Sequence, residues 1–107
     1  MPTAGIDDPI LKRFRAALDE LYGDRLERVV LFGSRARGDA CADSDYDIAI
    51  FLDDLIDRWQ ELDRIVAIVT DFLYEAEVFI HAMPYRAGSY KDHTPLMREL
   101  RREGVDL

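Results

Sequence analysis

The sequence predicts a single small α+β domain, a mixed β-sheet with helices packed on one face. Three observations carry that expectation. With 107 residues the chain has room for one hydrophobic core and not a second, so residues 1–107 read as one domain. It is 49% hydrophobic and 34% charged, a balance that supports a packed core over a disordered chain. Its apolar patterning switches between helical and extended periods in the order α-β-β-α-β-α. A helix between the second and third strands is the usual way to build a crossover. The sheet face away from the helices must then be covered by something else or carry the chemistry.

Each element has a local cause. Asp8 can cap a first helix and Pro9 suits its first position; Ile10, Leu11, Phe14, Ala17, Leu18 and Leu21 form one apolar stripe, and Gly23 stops it. Arg28 to Phe32 is a short β-branched run broken at Gly33-Ser34, and Tyr46 to Leu52 reads as a second strand. Asp57 to about Tyr74 reads as a helix that buries Leu62, Ile65, Val66, Val69 and Phe72. Val78 to Ala82 reads as a third strand ended by Pro84. Thr94-Pro95 starts a last helix that Gly104 stops.

Charge narrows the function classes. Lys plus Arg number 14 and Asp plus Glu 22, a net charge of −8. A nucleic-acid surface needs a basic face, so direct nucleic-acid binding is not expected. No apolar run is long enough to span a bilayer, and the opening MPTAGIDDP lacks a signal-peptide core. Cys41 is the lone cysteine, which excludes an internal disulfide and a Cys-rich zinc site. A cytoplasmic protein is the expectation. The excess charge is local: Asp39, Asp43, Asp45, Asp47, Asp53, Asp54 and Asp57 fall in nineteen residues without a Lys or Arg. The remainder holds 22 − 7 = 15 acids against 14 bases.

Asp45 and Asp47 lie two apart in a strand pattern, so both project from one face, while Tyr46, Ile48, Ile50 and Leu52 take the other. Two carboxylates side by side repel unless a cation sits between them, and their hard oxygens suit Mg²⁺. Solvated acids on a strand edge would read the same way. The preceding turn, Phe32-Gly-Ser-Arg-Ala-Arg-Gly38, shifts the balance towards chemistry. Gly33 lets a backbone approach a phosphate closely, Ser34 offers a hydroxyl, and Arg35 and Arg37 can meet phosphate oxygens or tie down the acids. The pattern is neither a Walker loop nor a dinucleotide fingerprint.

Leu31-Phe-Gly-Ser-Arg-Ala-Arg-Gly38 followed by Ser44-Asp-Tyr-Asp-Ile-Ala-Ile50 resembles the signature of the minimal nucleotidyltransferase family, within the polymerase-β-like superfamily. The resemblance implies a nucleotidyltransferase fold in which Gly33 and Ser34 hold the triphosphate of ATP, with Arg37 as an auxiliary phosphate or structural contact. It implies two Mg²⁺ ions on Asp45, Asp47 and a third carboxylate from the next strand. Glu77 is the leading candidate for that acid and Glu75 the second; a strand starting later would leave both in the preceding turn. His81 shares the expected face, as a site residue or a hydrogen-bonded strand histidine. The implied activity is Mg²⁺-dependent transfer of AMP from ATP to a protein acceptor. The usual partner in the family is a small helical HEPN-type toxin, which its antitoxin neutralises by AMPylating a tyrosine. The alternative is a weak or inactive nucleotide-binding module that neutralises its partner by direct binding.

Overall fold

A computed structural model describes residues 8–40 and 44–107. Cys41, Asp43 and the first seven residues of the opening segment read for a signal peptide lie outside the described residues. The first helix, α1 (Pro9–Tyr22), starts where expected: the Asp8 carboxylate accepts from the Ile10 N–H at 2.8 Å and Pro9 fills the first turn. Leu11, Phe14, Leu18 and Tyr22 point inward, whereas Leu21 stays exposed.

Strand β1 (Leu26–Phe32) begins two residues before the expected Arg28, and a one-turn helix α2 (Ser34–Arg37) follows. Strand β2 (Tyr46–Leu52) matches its expected bounds and pairs antiparallel with β1, which sets Phe32 opposite Asp47. Helix α3 (Arg58–Ala76) is capped by Asp57, whose carboxylate accepts from the Trp59 and Gln60 N–H groups. It runs two residues past Tyr74 and ends on Glu77 in the left-handed conformation, φ 55°.

Strand β3 (Ile80–Arg86) therefore starts two residues later than the sequence suggests and continues through Pro84. It lies at the edge of the sheet, in the order β3-β2-β1-β4, where a missing N–H is tolerated. β3 runs parallel to β2, with His81 beside Asp47 and Pro84 beside Ile50. After a 3₁₀ turn over Ala87–Lys91, helix α4 (Pro95–Glu103) starts on its Thr94 cap. A two-residue strand β4 (Val105–Asp106), not foreseen from the sequence, pairs with β1.

The sheet separates two cores. On one face α1 and α3 cover Val29, Leu31, Tyr46, Ile48, Ile50, Leu52, Ile80 and Ala82, with Phe14 edge-on to Phe72 at 5.6 Å. The opposite face is not bare. Met97 and Leu100 of α4 and Tyr90 of the 3₁₀ turn pack over Val30, Ala49 and Phe51. Asp47 shares this face by alternation but lies at the opening end of β2, so the acids stand beyond the α4 core. Among the described residues one charge is buried: Glu61 of α3, 4% exposed, accepts from Arg25 at 2.9 Å and Arg64 at 3.2 Å. No helix among the described residues is long and apolar enough to cross a membrane.

Candidate active site

The site forms where β1 turns into α2 alongside the first residues of β2. Gly33 has φ 76° and ψ −157°, a region that almost only glycine enters. A Cβ there would collide with the Asp47 carboxylate, whose carboxyl carbon would stand 3.3 Å away. Gly33 is thus required twice, by its backbone angles and by the acid pressed against it. Its carbonyl closes the turn by accepting from the Ala36 and Arg37 N–H groups, both at 3.1 Å. Ser34, half-buried, is the first residue of α2.

Asp45 is exposed and Asp47 only partly so, with a side-chain exposure of 32%. One oxygen of Asp47 faces Gly33 and the other lies 3.6 Å from His81 Nδ1, too far for a hydrogen bond. Between the two acids, Tyr46 points to the opposite face and donates to Asp8 at 2.6 Å. Burial, and then that bond to a carboxylate, push the Tyr46 hydroxyl up to about 12. Arg35 lies over the Tyr46 ring at 4.0 Å, and its Nε and Nη2 donate to the Ser44 carbonyl at 3.0 and 2.8 Å. Asp8, Tyr46 and Arg35 thereby brace the entry to β2 against α1 and the glycine turn. The acids are held by a frame, not by a loop alone.

The other expected site residues fall elsewhere. Arg37 is exposed and meets two acids, Asp39 at 3.3 Å and Glu103 at 3.7 Å; the Asp39 hydrogen bond raises its already high pKa further. Glu77 is the exposed cap of α3 and not a strand residue, because α3 extends to Ala76. Glu75 lies in the last turn of α3 and pairs with Arg13 at 3.5 Å. Neither takes the register position beside Asp47. Among the described residues, no three His, Cys, Asp or Glu side chains gather closely enough to hold a metal ion by themselves, so Asp45, Asp47 and Glu77 are not assembled as one set. What the turn does supply is the Asp47 carboxylate pressed against Gly33, with the exposed Asp45 two residues before it, oxygen donors that fit Mg²⁺ sharing its shell with phosphates and water. Sequence reasoning did not foresee the Arg35–Tyr46 brace; alternation already marked His81, and the sheet register gives it Asp47 as its neighbour.

Comparisons with known proteins bear on the family and the fold. Residues 19–83 match the family model described as polymerase beta, nucleotidyltransferase. Two Methanocaldococcus jannaschii proteins named, provisionally, as protein adenylyltransferases are 31% identical over 92% of this chain and 95% of theirs, and 34% identical over 72% and 71%. A structure described provisionally as a nucleotidyltransferase from Sulfolobus solfataricus superposes with a TM-score of 0.65 at 19% identity, over 91% of this chain and 75% of that one. A toxin–antitoxin structure with AMP-PNP gives 0.60 at 19% identity, over 89% and 70%. At such identities the structures speak for the fold alone, and the fold, the glycine turn and the matched residues lead to one assignment. The chain belongs to the polymerase beta nucleotidyltransferase family.

Proposed function

We propose that this protein transfers AMP from ATP to a hydroxyl of a partner protein, and that it acts as the antitoxin of a small helical HEPN-type toxin in the cytoplasm. The observation that carries the reading is the contact between Gly33 and Asp47, which sets the glycine turn directly against an acid of the Asp-x-Asp motif. The names of the two Methanocaldococcus relatives support protein adenylylation, and the toxin–antitoxin structures support the partner.

In the proposed reaction the acceptor oxygen bonds to the α-phosphorus while the bond from that phosphorus to the bridging oxygen of pyrophosphate breaks. Pyrophosphate leaves, the hydroxyl proton passes to water, and AMP remains on the acceptor. Gly33 lets the backbone approach the triphosphate and the Ser34 hydroxyl donates to it. Asp45 and Asp47 would hold Mg²⁺. Bound there, Mg²⁺ supplies charge neutralisation for the phosphoryl centre and its leaving group. Arg35 keeps both aspartates at the mouth of the turn through Ser44 and Tyr46. Arg37, anchored on Asp39 and Glu103, is an auxiliary contact that must leave an acid to reach a phosphate.

The test is incubation of the protein with α-labelled ATP, Mg²⁺ and the candidate toxin. Label on the toxin, lost with Asp47→Asn, is the expected result; an unlabelled toxin that is nevertheless neutralised would overturn the enzymatic reading. One observation favours the second reading, neutralisation by direct binding: among the described residues no third carboxylate stands with Asp45 and Asp47.

A further inference from the structure

The parallel pairing of β2 with β3 places His81, not an acid, beside Asp47. We propose that His81 is a ligand of the divalent ion bound by Asp47, and that the resulting carboxylate–imidazole pair shifts the site's preference from Mg²⁺ towards Mn²⁺ and the later first-row metals. This rests on the reading above that Asp47 binds a metal ion.

Three observations support it. The two side chains emerge from neighbouring strands on the same face, so the sheet itself sets their spacing. The separation of His81 Nδ1 from Asp47 Oδ1 is 3.6 Å. Donors held at 2.0–2.2 Å around one ion stand about 3.0 Å apart at a right angle and roughly 3.5 Å apart at a tetrahedral angle. The observed gap is thus near a shared-ion distance and too long for a hydrogen bond. Finally, the His81 side chain makes no hydrogen bond to any described residue and is 64% exposed. A strand histidine kept for structure would be expected to bond a neighbour, and an ion pair this exposed adds little.

The chemistry follows from the donors. Oxygen-only sites suit Mg²⁺, which demands near-ideal octahedral geometry; an imidazole nitrogen is a better partner for the transition metals. Two protein donors remain few, so nucleotide phosphates and water fill the rest of the shell.

The experiment is isothermal titration of the full chain with Mn²⁺ and, separately, with Mg²⁺, using wild type, His81→Ala and His81→Asp. His81 is exposed, so neither substitution opens the core. The readout is the ratio of Mn²⁺ to Mg²⁺ affinity. It is expected to fall about 10- to 100-fold in His81→Ala, the range typical when a metal site loses a supporting group. In His81→Asp it is expected to fall through stronger Mg²⁺ binding. An unchanged ratio in His81→Ala overturns the assignment. Binding of AMP-PNP with Mg²⁺ to wild type is measured alongside. If the nucleotide binds while the ratio does not move, the role of His81 fails alone; if neither ion nor nucleotide binds, the transferase reading fails with it.

Discussion

Replacing Gly33 by alanine tests the central contact of the site. The backbone at Gly33, φ 76° and ψ −157°, is costly for any L side chain, about 1–3 kcal/mol. The added methyl also meets the Asp47 carboxylate, which must withdraw by about an ångström to reach ordinary contact. A misplacement of that size at a reacting centre lowers turnover by about 10²-fold. Urea denaturation and adenylyl-transfer rates therefore should both respond, stability by 1–3 kcal/mol and rate by more than that loss of folded protein explains. A double-mutant cycle separates the two causes. In an Asp47→Ala background the collision disappears and only backbone strain is left, so the stability penalty of Gly33→Ala should shrink by about 1 kcal/mol. An identical penalty in both backgrounds would refute the steric half of the reasoning. Wild-type stability in Gly33→Ala would refute it entirely.

Other perturbations probe the frame. Asp47→Asn is expected to keep the fold, since the side chain makes no hydrogen bond to the described residues, while lowering transfer by at least about 10²-fold in a labelled-ATP assay. Tyr46→Phe removes a 2.6 Å bond to the Asp8 carboxylate and should destabilise by about 1.5–3 kcal/mol in chemical denaturation. Because the Tyr46 hydroxyl is raised from 10.0 to about 12, its stabilisation is complete below pH 10 and declines as pH rises towards 12. A wild-type advantage over Tyr46→Phe that does not narrow over that interval would contradict the assignment. Burial alone would raise the pKa of Glu61, but the hydrogen bond from Arg25 and the charges of Arg25 and Arg64 outweigh it and hold it below its usual 4.5. A depressed carboxyl contributes above its ordinary value and loses that contribution as pH falls through its folded value. Thermal melts of Glu61→Gln should show a deficit of about 1–3 kcal/mol at pH 7 that closes in acid below pH 4.5.

Most of the fold was legible because its signals are local. Asp8-Pro9, Asp57 and Thr94-Pro95 are caps whose bonds reach two or three residues, and each starts its helix where expected. β2 matches residue for residue because a run of apolar, strand-forming residues broken only by Asp47 is bounded by Asp45 before it and Asp53-Asp54 after it. The glycine turn and the paired aspartates were visible for the same reason, as short motifs with chemistry at fixed spacing. Tertiary structure decided what depends on placing one segment against another. Parallel strands have no hairpin to set their register, so the length of α3 determines which β3 residue meets Asp47. By continuing to Ala76 and ending on Glu77, α3 takes both candidate acids off the strand and puts His81 beside the site. The partners of Arg35 and Arg37 were settled by folding in the same way. An arginine side chain reads as a phosphate ligand in sequence, but its long stem binds whichever carbonyl or carboxylate the packed chain brings within reach. For Arg35 that is the carbonyl that braces the aspartates, and for Arg37 it is the neighbouring Asp39 together with Glu103 from α4.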